Sequence, residues 1–236
     1  MTDTPQLGLP LVQPAQSQKH VTVNEALTRL DALTALTLES RSLAAPPANA
    51  PEGAVWAVPQ GATGPWQGQD GALALRSNGG WAFLSPRIGW RGWIGDEAAA
   101  ATWDGQSWLT GLVATSQHGA STRFETLEID VPVTSGSIVF VPNFVPNGVL
   151  ACAVTGVTAE AITGTLSHWT LGRFGNTDSI FSSVGVAVGA SAVHIPSPVI
   201  LSASLQNLLV SAVGGTFAGG KVRIAVHVMR FTAPSP

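Results

Sequence analysis

Cysteine occurs once in the 236 residues, at Cys152, which excludes an intrachain disulfide framework and a thiolate-built structural zinc cluster. Its apolar neighbours Val149, Leu150, Ala151, Ala153 and Val154 predict a small buried hydrophobe. Lysine is confined to Lys19 and Lys221, and Asp, Glu, Lys and Arg together make up 11% of the chain, against a globular norm of about 25%. The net charge is −3, and no basic stripe exists to replace phosphate counterions, so nucleic acid is not expected as a partner. Uninterrupted apolar runs of the roughly 18 residues needed for a spanning helix are absent, so membrane insertion is not expected either. The opening MTDTPQLGLPLVQP has neither the basic nor the apolar region of a secretory signal, which predicts assembly in a cytoplasm. Disorder is excluded by 45% hydrophobic residues and a mean hydropathy of +0.27, because unfolded chains combine low hydrophobicity with high net charge. The length suits one large or two small domains with a core of their own.

Three compositional zones follow. Residues 1–45 open with Pro5, Pro10 and Pro14, which forbid an early helix start. Then Val23, Ala26, Leu30, Leu33 and Thr37 alternate spacings of three and four, the pattern of a helical seam. We expect a helix over about 18–40, ended by AAPPANAP, which either docks on its own domain or joins a short parallel bundle with other copies. Residues 51–112 hold seven of the eight tryptophans in short glycine-rich phrases: GAVWAV, GPWQGQDG, GGWAFLSP, GWRGWIGDE and TWDGQSW. Short strands joined by glycine turns are the natural reading. Residues 121–236 supply eight candidate strands, FETLEIDV, SIVFVP, GVLACAVTGV, AITGTLSHWTLG, SIFSSVGVAV, PVILSASL, NLLVSAV and KVRIAVHVMRF. The expected fold class is therefore mainly β: a short N-terminal helix, a small Trp-rich β module and a C-terminal jelly-roll-like β-sandwich. Past Asp130 the only charged residues are Glu160, Arg173, Asp178, Lys221, Arg223 and Arg230. A monomeric sandwich wets its outer faces with charge, so this shortage predicts that another subunit covers part of them.

Catalytic patterns are missing. No G-x-S-x-G elbow, P-loop, H-E-x-x-H or strand-borne G-x-G-x-x-G occurs, and His20, His118, His168, His194 and His227 lack ligand spacing. Neither an enzyme, a cofactor nor a metal is expected. Asp96 and Glu97 form the tightest acidic pair, but adjacent residues on one strand point to opposite faces and cannot flank one glycosidic bond. Sugar binding uses the available residues better, because an indole stacks on the apolar face of a pyranose while polar side chains take its hydroxyls. Two constellations fit: Trp90, Trp93, Asp96, Trp103, Asp104 and Trp108, with Arg91 and Gln106 among them; and Trp169, Arg173, Asn176 and Asp178, with His168 and Phe174 beside them. The competing reading makes the indoles a small core and the second group an ordinary interstrand loop, or a salt bridge from Arg173 to Asp178 across a subunit contact.

The phrases LGLPLVQPAQSQKHVTVNEALTRLDAL, GATGPWQGQDGALAL, GGWAFLSPRIGWRGW, DEAAAATWDGQSW and the terminal GGTFAGGKVRIAVHV resemble a family of prophage and gene-transfer-agent proteins of alphaproteobacteria. The likeness is closest to head spike (head fibre) proteins, whose shared N-terminal region has long been described only as of unknown function. The resemblance implies a trimeric particle-borne fibre, held to other particle proteins by its N-terminal region and adhering to cell-surface or capsular polysaccharide. It implies cytoplasmic assembly and release by lysis, and it carries over no catalytic residue. A purely structural capsid or tail component and a glycan depolymerase are the alternatives.

Overall fold

The computed structural model describes residues 3–12, 19–196, 200–201, 205 and 207–235. They fall into two units, Met1–Gly111 and Leu112–Pro236, both dominated by strands.

In the first unit, α1 (Lys19–Thr34) is shorter than the helix expected over about 18–40. Residue 18, like Pro14, lies outside the described residues. The segment that follows α1 gives up helical pairing for sheet pairing on both of its edges. Trp93 N bonds to Leu36 O at 2.9 Å and Gly95 N to Leu38 O at 2.7 Å on one side, while Glu39 N bonds to Val55 O at 2.8 Å on the other. Thr37–Leu38 thereby becomes β1, with Leu36 and Leu38 buried. Two antiparallel meanders flank it: β2 (Val55–Ala57), β3 (Leu73–Ser77) and β4 (Gly80–Leu84), then β5 (Arg91–Ile94), β6 (Ala99–Trp103) and β7 (Trp108–Thr110). β1 is parallel to both β2 and β5, giving one seven-stranded sheet in the order β4-β3-β2-β1-β5-β6-β7. Residues 1–45 and 51–112, read from the sequence as anchor and module, thus share a single sheet.

Strand alternation sorts the tryptophans onto the two faces. Val55 and Ala57 join Leu38, Leu73, Leu75, Ile94, Trp103 and Trp108 in a core that also takes Ala32 and Leu36. Trp56, between them, points the other way and meets Trp66 and Trp81 at ring separations of 6.1 and 5.5 Å, with Trp66 and Trp81 5.2 Å apart. The Nε1 atoms of Trp66 and Trp108 have no partner among the described residues, so both indoles act as apolar bulk. The β3–β4 turn is Asn78-Gly79, with φ of 52° and 74°, the positive pair that a tight hairpin demands. Glu52 caps it by accepting from both backbone amides at 2.8 and 2.7 Å.

The second unit contains β8 (Leu112–Thr115), β9 (Ser121–Pro132), β10 (Ile138–Val141), β11 (Val149–Gly164), β12 (His168–Arg173), β13 (Asn176–Val184), β14 (Ser191–His194), β15 (Ile200–Leu201), β16 (Leu208–Val213) and β17 (Phe217–Thr232). One sheet runs β14-β11-β17-β9-β8 with β15 added on β11, and the other runs β10-β16-β12-β13. The unit therefore begins at residue 112, ahead of the expected 121. AITGTLSHWTLG is split between β11 and β12 by a turn, β14 was not anticipated, and PVILSASL lies outside the described residues except at 200, 201 and 205. Inward residues of both sheets, including Val154, Trp169, Leu171, Val210, Ile224 and Val226, make a common core. A buried hydrogen bond ties the sheets together: Trp169 Nε1 donates to Thr158 Oγ1 at 2.9 Å, and that hydroxyl donates to Gly185 O at 2.7 Å.

Five charged residues of this unit share one face of the six-stranded sheet. Glu160, Lys221, Asp130, Arg223 and Glu128 form a ladder across β11, β17 and β9, with contacts of 2.6, 3.9, 2.7 and 3.6 Å. The opposite situation holds on β10 and β16, where Ile138, Phe140 and Val213 are 51%, 54% and 37% exposed. Alternation places these three on the side of the four-stranded sheet away from the core. This sheet thus exposes apolar side chains at positions where the ladder exposes charged ones.

Candidate functional site

The expected sugar-contacting residues separate by burial. Trp93 is 47% exposed on β5, Asp96 and Asp104 are exposed, and Trp90 is half-buried against the core of the first unit. Trp108 is buried and packs on Trp103 with ring centroids 5.6 Å apart, so it presents no face to a ligand. Trp103, at 7% exposure, is likewise a core residue and not the stacking platform expected from the sequence. In the second unit Trp169 is fully buried against Phe181, 6.0 Å away, and is corrected from ligand contact to core. Arg173 is half-buried, and its Nε donates to Ser179 Oγ at 3.4 Å. Asn176 and Asp178 are exposed beside Phe174, which is 91% exposed at the hairpin tip. The two constellations belong to different units.

Acidic residues of the first unit are largely committed to holding turns. Asp104 Oδ1 accepts from the amides of Gln106 and Ser107, both at 2.7 Å, which fixes the β6–β7 turn. Glu97 receives a two-pronged hydrogen bond from Arg41 at 2.6 and 2.8 Å, and the same guanidinium donates to the Trp108 carbonyl. Such a fork is the strong geometry for a guanidinium and a carboxylate. Among the described residues no side-chain partner meets Asp96, the other member of the acidic pair.

What the turns build is an open groove of about 860 Å³, within the range of about 300–1,000 Å³ common for ligand sites. Gln60 comes from the turn after β2, Gln69, Asp70 and Gly71 from the turn before β3, Ser85 from the end of β4, and Gln106 and Ser107 from the β6–β7 turn. Trp103 reaches its wall edge-on: a Cβ on Gly71 would lie 3.6 Å from Trp103 Cη2. Gly71 itself sits at φ +79°, so its glycine both makes the turn and lets the backbone approach the indole. The side-chain amides of Gln60, Gln69 and Gln106 and the hydroxyl of Ser85 bond to no other described residue. Asp70 is held by the amides of Gly61 and Ala62 at 3.2 and 3.3 Å. Sequence reasoning reached Trp103 and Gln106 but missed Gln60, Gln69, Asp70 and Ser85. For Gln69 and Asp70 the signal was present in GPWQGQDG, where polar residues crowd between turn-forming glycines.

Among the described residues no three of His, Cys, Asp and Glu gather closely enough to hold a metal ion. No helix there is long and apolar enough to cross a membrane.

Residues 23–109 match the model of a family described as a protein of unknown function, DUF2793. That stretch contains the middle phrases of the sequence resemblance and every groove residue. A chain of the cyanophage Pam1 capsid asymmetric unit aligns over 50% of this chain and 92% of its own length, with 18% identity and a TM-score of 0.36. No curated protein matches the sequence.

Proposed function

We propose that the chain is a head spike or fibre component of a phage-like particle of the gene-transfer-agent kind, and that it attaches the particle to cell-surface or capsular polysaccharide. The groove carries the reading. Three carboxamides and a hydroxyl without a partner among the described residues surround an indole edge, which is the mixture of donors and acceptors that sugar hydroxyls require. Trp93, with half its surface exposed, offers a separate face on which a pyranose can stack. The particle itself is implied by the sequence resemblance, as are attachment to other particle proteins through the N-terminal region, cytoplasmic assembly and release by lysis. The protein acts as a homotrimer. The α1 stripe supports self-association, since Val23 and Leu30 are 42% and 55% exposed, with Ala26 exposed and Leu33 half-buried. Three copies on each of many spikes turn weak single-site contacts into firm adhesion.

A second reading, a purely structural capsid or tail component without sugar binding, draws on the burial of Trp56, Trp66, Trp103, Trp108 and Trp169. A microarray of bacterial capsular and cell-wall polysaccharides separates the two. Adhesion predicts retention of the full chain on at least one polymer, and a blank array supports the structural component. Release of reducing ends would instead identify a depolymerase.

A further inference from the structure

We infer that the groove is selective for uncharged polysaccharide, a polymer of neutral hexoses, over polymers bearing carboxylate, sulfate or phosphate; this rests on the adhesive reading and sharpens it. Among the described residues no lysine, arginine or histidine lines the groove, and the one charged residue lining it is Asp70. Both oxygens of Asp70 already accept backbone amides, from Gly61 and Ala62, so the carboxylate serves the turn while leaving its negative charge at the wall. An acidic polymer would have to bring its anion into a site that offers no cation and one like charge. An anion finds no pairing charge there, and the like charge of Asp70 repels it. Neutral hydroxyls meet the reverse situation. Each is donor and acceptor at once, and each of Gln60, Gln69 and Gln106 presents two N–H donors and a carbonyl acceptor in one plane. Because these amides bond to nothing else described in the chain, binding a hydroxyl breaks no internal hydrogen bond. The Trp103 edge adds an apolar strip for ring C–H groups.

Affinity electrophoresis of the full chain tests this, using gels cast with dextran, laminarin or galactomannan as neutral polymers and alginate, polygalacturonate or hyaluronan as acidic ones. The expected result is retardation by at least one neutral polymer and by none of the acidic ones. Gln69→Ala and Gln106→Ala should each weaken that retardation about three- to tenfold, the loss of one hydrogen bond, with unchanged melting temperature as the folding control. Retardation by an acidic polymer that either substitution abolishes would overturn the selectivity and leave adhesion standing. Neutral binding that neither substitution affects would overturn the groove as the site. Absence of retardation in every gel would overturn both the selectivity and the groove's adhesive role.

Discussion

Asp31 places a carboxylate inside the first unit, 1% exposed, and uses it to hold the chain's first described segment. Thr4 Oγ1 and Leu7 N donate to one oxygen at 2.7 Å each, and Gln6 N donates to the other at 2.9 Å. Burial works to raise this carboxyl's pKa, and the hydrogen bonds from Thr4, Gln6 and Leu7 outweigh it, so the group stays below its ordinary value. A lowered folded-state pKa means that the clasp contributes fully above the ordinary carboxylate pKa of about 3.9 and is lost as pH falls through the lower folded value. Hydrogen exchange followed against pH should therefore show the Gln6 and Leu7 amides protected at neutral pH and released in acid. Asp31→Asn, which keeps one acceptor oxygen and turns an NH2 group toward the other donor, should release at least one of them already at pH 7, at a cost of about 1–3 kcal/mol of stability. Protection unchanged in that variant would show that other contacts hold the segment, such as the reciprocal Val12–Asn24 pair at 2.8 and 3.0 Å.

At the scale of elements, close packing in the second unit depends on residues that lack a side chain. A Cβ on Gly156 of β11 would come within 2.6 Å of Phe181 and 3.3 Å of Trp169, so the aromatic pair occupies the space a larger residue would need. Gly156→Ala should lower stability by about 1–3 kcal/mol through overpacking, read as a drop in melting temperature; an unchanged melting point would mean the rings can retreat. The ion ladder on the same sheet predicts a different response. The Arg223 hydrogen bond is the largest cause holding Asp130 below the ordinary carboxylate range. In Arg223→Ala the Asp130 carboxyl should titrate closer to its ordinary value by NMR, with little change in melting temperature because exposed pairs are weak. These elements also mark the limit of what the sequence discloses. The alternation of Leu127, Ile129 and Val131 announces β9, and GAVWAV announces β2 and its two faces. β1 is invisible, because two residues in helical register become a strand only when β2 and β5 offer pairing on both sides. The groove was half legible: Trp103 and Gln106 stand out locally and Gln69 sits in a polar, glycine-rich phrase, whereas Gln60 and Ser85 join them only through the turns of a completed sheet. Trp169 misled, since a polar loop close in sequence says nothing of the Thr158 hydroxyl that buries its N–H.

At the scale of the whole molecule, the four-stranded sheet exposes Ile138, Phe140 and Val213, while one face of the six-stranded sheet carries the ladder from Glu160 to Glu128. Light scattering on the full chain should give three times the 24.3 kDa chain mass, and a monomer would remove the reason for an uncharged exposed face. Adhesion is the larger claim, and it is multiplied by assembly. The measurement that tests it most directly is binding of the purified protein to encapsulated bacterial strains and to capsule-deficient mutants of the same strains. Binding to encapsulated cells should fall at least tenfold when the capsule is absent or when Gln69 and Gln106 are both replaced by alanine. Equal binding with and without capsule, or none to either, would contradict that claim.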